Sequence, residues 1–289
     1  MQREATTREY TAPRFPPREA NNLNIETITI EGGFGKDGAP EPLRRLTLRM
    51  GDVVSIVGPT GSGKSELIND IELFADRNTP SGRRVLINGE APGESFLLDP
   101  SKNPIALITQ HTNFLSDLPV AKFLTVHAQI RRGLEGHRAV EETLAFANEL
   151  TGEPIVEDCQ MTELSGGQTR SLLIADAVII GNSPIILLDE IENAGINRTR
   201  AVELLKQYRK IFVFVTHDPR IALISDYRVS IRGGAMQRLI FTSEEEKRVA
   251  EEIKTLDDLL LELRSIIRAG EGVSLEGFHS RMRELGYVA

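Results

Sequence analysis

The sequence predicts an α/β fold: a mixed or parallel sheet flanked by helices, with a C-terminal helical extension. Three observations predict it. Two short apolar runs, PIILLDE (184–190) and IFVFVTH (211–217), end in polar residues, as suits central strands of a parallel sheet buried on both faces. Between them, RTRAVELLKQYR has the length of a crossover helix. Finally, the glycine-rich stretch GPTGSGKS (58–65) stands between the apolar run VVSIV and the helical pattern SELINDIELFA.

The remaining elements follow in chain order. The first 22 residues are polar, carry Pro13, Pro16 and Pro17, and lack the apolar core of a signal peptide, so a mobile arm is expected. LNIETITI (23–30) alternates like a strand and ends at the turn GGFGKDG. LRRLTLRMGD and VVSIVG predict strands around a Met-Gly-Asp turn, and RRVLING and PIALITQ are strand-like. SFLLDP (95–100) reads as an ordinary turn. From Asp117 to Glu163 the pattern is helical, clearest in FLTVHAQIRR and AVEETLAFANEL, and SLLIADAVII (171–180) reads as a buried helix. YRVSIRGGAMQRLIF is a hairpin about Gly233 and Gly234. In the tail, Ser243 and Glu246 form a capping-box pattern. Val249, Ile253, Leu256, Leu260, Leu263 and Ile267 then follow at helical spacing. GEG (270–272) stops that helix, and SLEGFHSRMREL makes a last one. The expected division is an arm over 1–22, a core domain over 23–242 with a helical part at about 115–165, and a helical extension over 243–289. That extension either lies on the domain's own surface or docks a partner.

Composition narrows the function classes. The 289 residues carry a formal net charge of −8 and no run of Lys and Arg, so no nucleic-acid partner is expected. Cys159 is the single cysteine, which leaves no intrachain disulfide and fits a reducing compartment. Histidines 111, 127, 137, 217 and 279 show no metal-binding spacing. No run of about 20 apolar residues spans a membrane, so work at a membrane requires docking on another chain.

GPTGSGKS matches G-x-x-x-x-G-K-[ST] in the strand–loop–helix context that the motif needs. A chance match in a chain this long is roughly one in a hundred, and the context lowers that further. Gly58, Pro59, Thr60, Gly61, Ser62 and Gly63 let backbone N–H groups point at phosphate oxygens, and the helix start adds positive potential. Lys64 reaches the β- and γ-phosphates, and the Ser65 hydroxyl can ligate Mg²⁺. In PIILLDE, Asp189 can hold the Mg²⁺ shell while Glu190 positions or activates a water for in-line attack. LSGGQ, from Leu164 through Ser165, Gly166 and Gly167 to Gln168, is a second glycine-bearing helix start. One P-loop does not need a second phosphate cradle for the same nucleotide, so LSGGQ serves the nucleotide of another subunit.

With these residues in hand, the stretch from Leu23 to Phe241 resembles the ATP-binding cassette (ABC) ATPases. It carries five motifs in that family's order: GPTGSGKS, Gln110 after PIALIT, LSGGQ, LLDE, and His217 after FVFVT. The resemblance implies a P-loop NTPase core of ABC type, with an antiparallel β part and a helical subdomain. It further implies a Mg-ATP hydrolase acting as a head-to-tail dimer, expected here as a homodimer, with ATP between one subunit's P-loop and the other's LSGGQ. Gln110 would sense metal and attacking water, His217 would contact the γ-phosphate, and Phe34 in GGFGKDG would stack on adenine. The chain departs from the family after Asp-Glu, where Ile191, Glu192, Asn193, Ala194, Gly195 and Ile196 replace Pro-Thr-Ser-Ala-Leu-Asp. Asp176 stands where an arginine is common. Two roles stay open: the cytoplasmic ATP-binding subunit of a transporter, held at the inner membrane face by a permease, or a soluble machine that remodels a client protein.

Overall fold

The computed structural model describes residues 24–99, 102–132, 136–190 and 198–287. The expected N-terminal arm and the IENAGI stretch lie outside the described residues. The chain opens with β1 (Thr27–Glu31), β2 (Arg45–Arg49) and β3 (Val53–Val57), and α1 (Lys64–Glu72) follows the glycine-rich loop. β4 (Arg84–Ile87), α2 (Glu94–Leu98) and β5 (Ile105–Ile108) come next. The helical stretch supplies α3 (Val120–Arg132), α4 (Gly136–Leu150) and α5 (Gly166–Val178). Then β6 (Ile185–Asp189), α6 (Arg198–Leu205), β7 (Ile211–Val215) and α7 (Pro219–Ile224) alternate as crossover units. β8 (Tyr227–Arg232), β9 (Ala235–Phe241), α8 (Glu244–Arg268) and α9 (Leu275–Glu284) complete the chain.

Two sheets result. The larger runs β5-β6-β7-β3-β8-β9, and the smaller runs β2-β1-β4. In the larger sheet β5, β6, β7, β3 and β8 are parallel, and β9 pairs antiparallel with β8. The smaller sheet is antiparallel. The expected hairpin about Gly233 and Gly234 is therefore β8–β9, and the two apolar runs are the interior strands β6 and β7.

Strand alternation divides the core into two faces. Ile186, Leu188, Phe212 and Phe214 point toward the side covered by α3, α4, α5 and α6. Ile185, Leu187, Val213 and Val215 point toward α1 and the smaller sheet. All eight are essentially inaccessible, and each contributes about 2 kcal/mol by leaving water. This double burial holds the parallel strands rigid enough for their ends to carry chemistry.

One local reading changes. SFLLDP is not a turn, because Glu94–Leu98 forms a short helix with Gly93 as an extended N-cap. Phe96 stacks on Phe74 at 6.4 Å between ring centroids, and that apolar anchor holds the helical turn.

At the C-terminus, Ser243 and Glu246 form the expected capping box. Arg228 of β8 pairs with Glu246 and ties α8 to the sheet, while Ala250 and Leu259 are buried. α9 folds back along α8 through Arg281–Glu262 at 2.6 Å and the Tyr287 hydroxyl donating to Glu252 at 2.8 Å. Among the described residues, no helix is long and apolar enough to cross a membrane.

Candidate active site

The parallel strands bring the predicted residues to one edge. β7 pairs with both β3 and β6, so Val215 lies opposite Ile56 on one side and Asp189 on the other. β5 joins the far side of β6, with Ile108 opposite Leu188. The loops leaving these four strand ends carry Gln110, Glu190, His217 and Gly58. Ligands of open α/β sheets bind at this carboxyl edge.

The loop 58–65 is fixed by close approach. A Cβ on Gly58 would lie 2.4 Å from the Ile231 carbonyl oxygen. Gly63 has φ +99°, and a Cβ there would lie 2.8 Å from Gly234 Cα. Only glycine tolerates that combination of contact and left-handed backbone. Inside the curl, the buried Lys64 ammonium donates to the carbonyls of Gly58 (2.9 Å) and Pro59 (3.1 Å). Ser62 is 6% exposed, and its Oγ has no hydrogen-bond partner. A buried hydroxyl left that way costs about 1–3 kcal/mol, a cost that a hydrogen-bonding group entering the loop would relieve. Thr60, Gly61 and Ser65 are exposed at its mouth.

Asp189 ends β6 and is partly buried. Glu190, the next residue, has φ +49°, a left-handed conformation that costs a non-glycine residue about 1–2 kcal/mol. Its N–H donates to the Val215 carbonyl at 3.0 Å, which holds that backbone turn. Glu190 Oε1 lies 3.4 Å from His217 Nε2, with both side chains partly exposed. A carboxylate on a left-handed backbone position thus stands beside an imidazole at the carboxyl edge of the sheet. Ser65 follows β3, Gln110 follows β5 and Asp189 ends β6, so a hydroxyl, an amide and a carboxylate lie on neighbouring segments at the carboxyl edge of the sheet. Among the described residues no cluster of three His, Cys, Asp or Glu side chains could cage a metal. A hydroxyl, an amide and one carboxylate are donor types that suit Mg²⁺, which uses one or two carboxylates and completes its shell with water and phosphate.

LSGGQ lies apart from the P-loop's hydrogen-bond partners. Ser165 caps α5: its Oγ accepts from Gln168 N–H at 3.3 Å, and Gln168 Oε1 accepts from Ser165 N–H at 2.9 Å. Gln168 Nε2 donates to the Pro154 carbonyl at 3.1 Å. Leu164 packs against the core, while Ser165 and Gly166 are exposed and Gly167 is partly exposed. Arg170, one turn on, donates to the Gln110 carbonyl. That tie joins the loop after β5 to the LSGGQ helix. Asp176, at the position where arginine is common, accepts or shares a hydrogen bond with His127 of α3 at 2.8 Å. Phe34 is 49% exposed with its ring over Gly82, and Lys36 of the same loop donates to the Gly61 carbonyl at 2.9 Å. The loop that carries Phe34 is thus adjacent to the glycine-rich loop 58–65.

A family model described as "ABC transporter" matches residues 44–193. An uncharacterized ABC transporter ATP-binding protein of Methanocaldococcus jannaschii is 50% identical over 254 residues, covering 88% of this chain and 97% of that one. The chain belongs to the ABC transporter family. Within it, a spermidine/putrescine import ATP-binding protein of Frankia alni is 29% identical over 240 residues. That match covers 78% of this chain, which spans half the length of that relative. A dimeric ATP-binding cassette in a post-hydrolysis state, bound to ADP and Pi, superposes with TM-score 0.57 at 24% identity. The superposition covers 75% of this chain and 99% of that one, and it shows the shared fold. As an ABC ATP-binding protein, the chain is an ATPase.

Two features were missing from the sequence reading. Arg170 carried no signal there, because its partner lies 60 positions away. The other is a buried guanidinium, Arg83, behind the P-loop. It is paired with Glu41 at 2.6 Å and Asp70 at 2.8 Å, with every side chain 0–2% exposed. Burial works to lower the Arg83 pKa, but the hydrogen bonds and charges of Glu41 and Asp70 outweigh it and raise the pKa.

Proposed function

We propose that this ABC ATPase binds and hydrolyses Mg-ATP at composite sites of a head-to-tail homodimer and drives a membrane permease. The observation that carries the reading is the pairing of a glycine-locked cradle with an exposed LSGGQ helix start in one chain. In this reading residues 58–65 hold the phosphates, and Phe34 supports the adenine. Ser65, Asp189 and Gln110 would hold Mg²⁺, which when bound would neutralise charge on the phosphates. Glu190 orients the attacking water and accepts its proton, and His217 donates toward the γ-phosphate oxygens. Ser165, Gly166, Gly167 and Gln168 of the second subunit bring N–H groups and a helix N-terminus to the same phosphate. The Arg170–Gln110 tie supports coupling, because movement of the LSGGQ helix pulls directly on the loop of Gln110.

The transport role is supported by relatives described as import ATP-binding proteins. On this reading the chain sits in the cytoplasm, on the inner face of a membrane, through its permease. Cell fractionation tests it: the protein pellets with membranes and is released when its permease is deleted. Recovery solely in soluble complexes would contradict transport and favour the remodelling of a client protein.

A further inference from the structure

Arg83 presents the strongest unexplained arrangement in the molecule. Its Nη1 donates to Asp70 Oδ2 at 2.8 Å, and its Nε faces both Glu41 oxygens at 3.2 Å. Its Nη2 donates to Glu41 Oε1 and to the Gly234 carbonyl, each at 2.6 Å. The two carboxylates have further donors. Glu41 accepts from the backbone N–H groups of Gly33 (2.9 Å) and Met236 (2.6 Å), and Asp70 accepts from the Ser81 hydroxyl at 2.8 Å. Stability alone is a poor reason for such a cluster, because apolar replacements of buried ion networks are often neutral or stabilising. What a planar, five-donor fork supplies is geometry.

Each arm of the fork ends beside the nucleotide cradle. Asp70 lies on α1, the helix that begins at Lys64. Gly234 donates its N–H to the Ser62 carbonyl at 2.7 Å, and it is the backbone against which Gly63 packs. Gly33 immediately precedes Phe34. The guanidinium thus joins the P-loop helix, the turn that buttresses Ser62 and Gly63, and the loop that carries Phe34.

We infer that Arg83 is a positioning residue for ATP, setting the curl of the P-loop through Gly234 and its distance from the Phe34 loop through Glu41. It touches no nucleotide itself. Arg83 positions the loop backbone and the Phe34 loop, which grip the parts of the nucleotide that do not react, so loss of this positioning weakens binding more than turnover. The inference rests on residues 58–65 being the nucleotide cradle.

Arg83→Lys is the direct test. Lysine keeps the charge but cannot serve Glu41, Asp70 and Gly234 together. The expected result is a KM for ATP raised about tenfold and ADP binding by calorimetry weakened by the same factor, with kcat changed less than twofold. A lowered melting temperature with KM and ADP affinity at wild-type values would make Arg83 a core ion pair and overturn the inference. Should Arg83→Lys fail to fold, Asp70→Asn removes one charge with its shape kept. There, a KM raised about threefold supports positioning, and an unchanged KM overturns it. A wild-type chain that does not bind ADP would instead break the assignment of the cradle itself, so the two failures are distinguishable.

Discussion

The two glycine-bearing helix starts of this molecule obey different constraints. At the P-loop, Gly58 and Gly63 are demanded by the chain's own fold, since a Cβ at either would collide with backbone at 2.4 and 2.8 Å. At LSGGQ, a Cβ on Gly166 would meet nothing nearer than the tip of Arg170, 3.6 Å away. Gly166 is also exposed, on the first turn of a helix where alanine is the better former. The fold therefore explains Gly58 and Gly63 and leaves Gly166 unexplained. That open surface at Gly166 is what the proposed completion by a second subunit requires.

The largest expected effect breaks the self-contained half. Lys64→Ala removes the ammonium from the cradle, and ATP hydrolysis, measured by phosphate release, should fall on the order of a thousandfold, as for loss of a charged transition-state donor. Next comes the other half. Gly166→Asp places a carboxylate at a helix N-terminus, where it favours the isolated subunit by about 0.3–1 kcal/mol. The melting temperature should hold or rise and ATP affinity of the single chain should stay within twofold. Hydrolysis should nevertheless drop about a hundredfold, because the partner's phosphates would face an acid. Equal losses of ATP affinity in both variants would erase the contrast between the two regions.

The smallest effect lies away from both. The hydrogen bond from Arg228, together with that from the Ser243 backbone, holds the Glu246 carboxyl below its ordinary value of 4.5. A carboxyl depressed in the folded state stabilises it above its unfolded pKa, and that contribution is lost as pH falls through the folded value. The attachment of α8 should therefore loosen below about pH 4.5, seen as faster amide exchange over residues 244–250, with the P-loop unaffected. Glu246→Gln should flatten that dependence.

How much of this was legible in sequence follows from distance along the chain. GPTGSGKS, PIILLDE and IFVFVTH each bind strand, loop and chemical group within a few residues, so buried parallel strands whose ends bear Gly58, Glu190 and His217 could be expected, while their order in the sheet could not. SFLLDP misled because its helix depends on Phe96 finding Phe74, a contact with no local pattern. Arg83 was invisible for a stronger reason. Its partners Asp70, Glu41 and Gly234 lie 13, 42 and 151 positions away, and only folding brings them together. The left-handed backbone of Glu190 was equally hidden, since no glycine marks it.

The central claim is that the cradle is half a site. Solution mass of Glu190→Gln with Mg-ATP tests it most directly. The account predicts a two-chain species that requires ATP and disappears when Gly166→Asp is added to the same protein. A protein that binds ATP and stays a single chain would contradict it, as would a dimer indifferent to both ATP and residue 166.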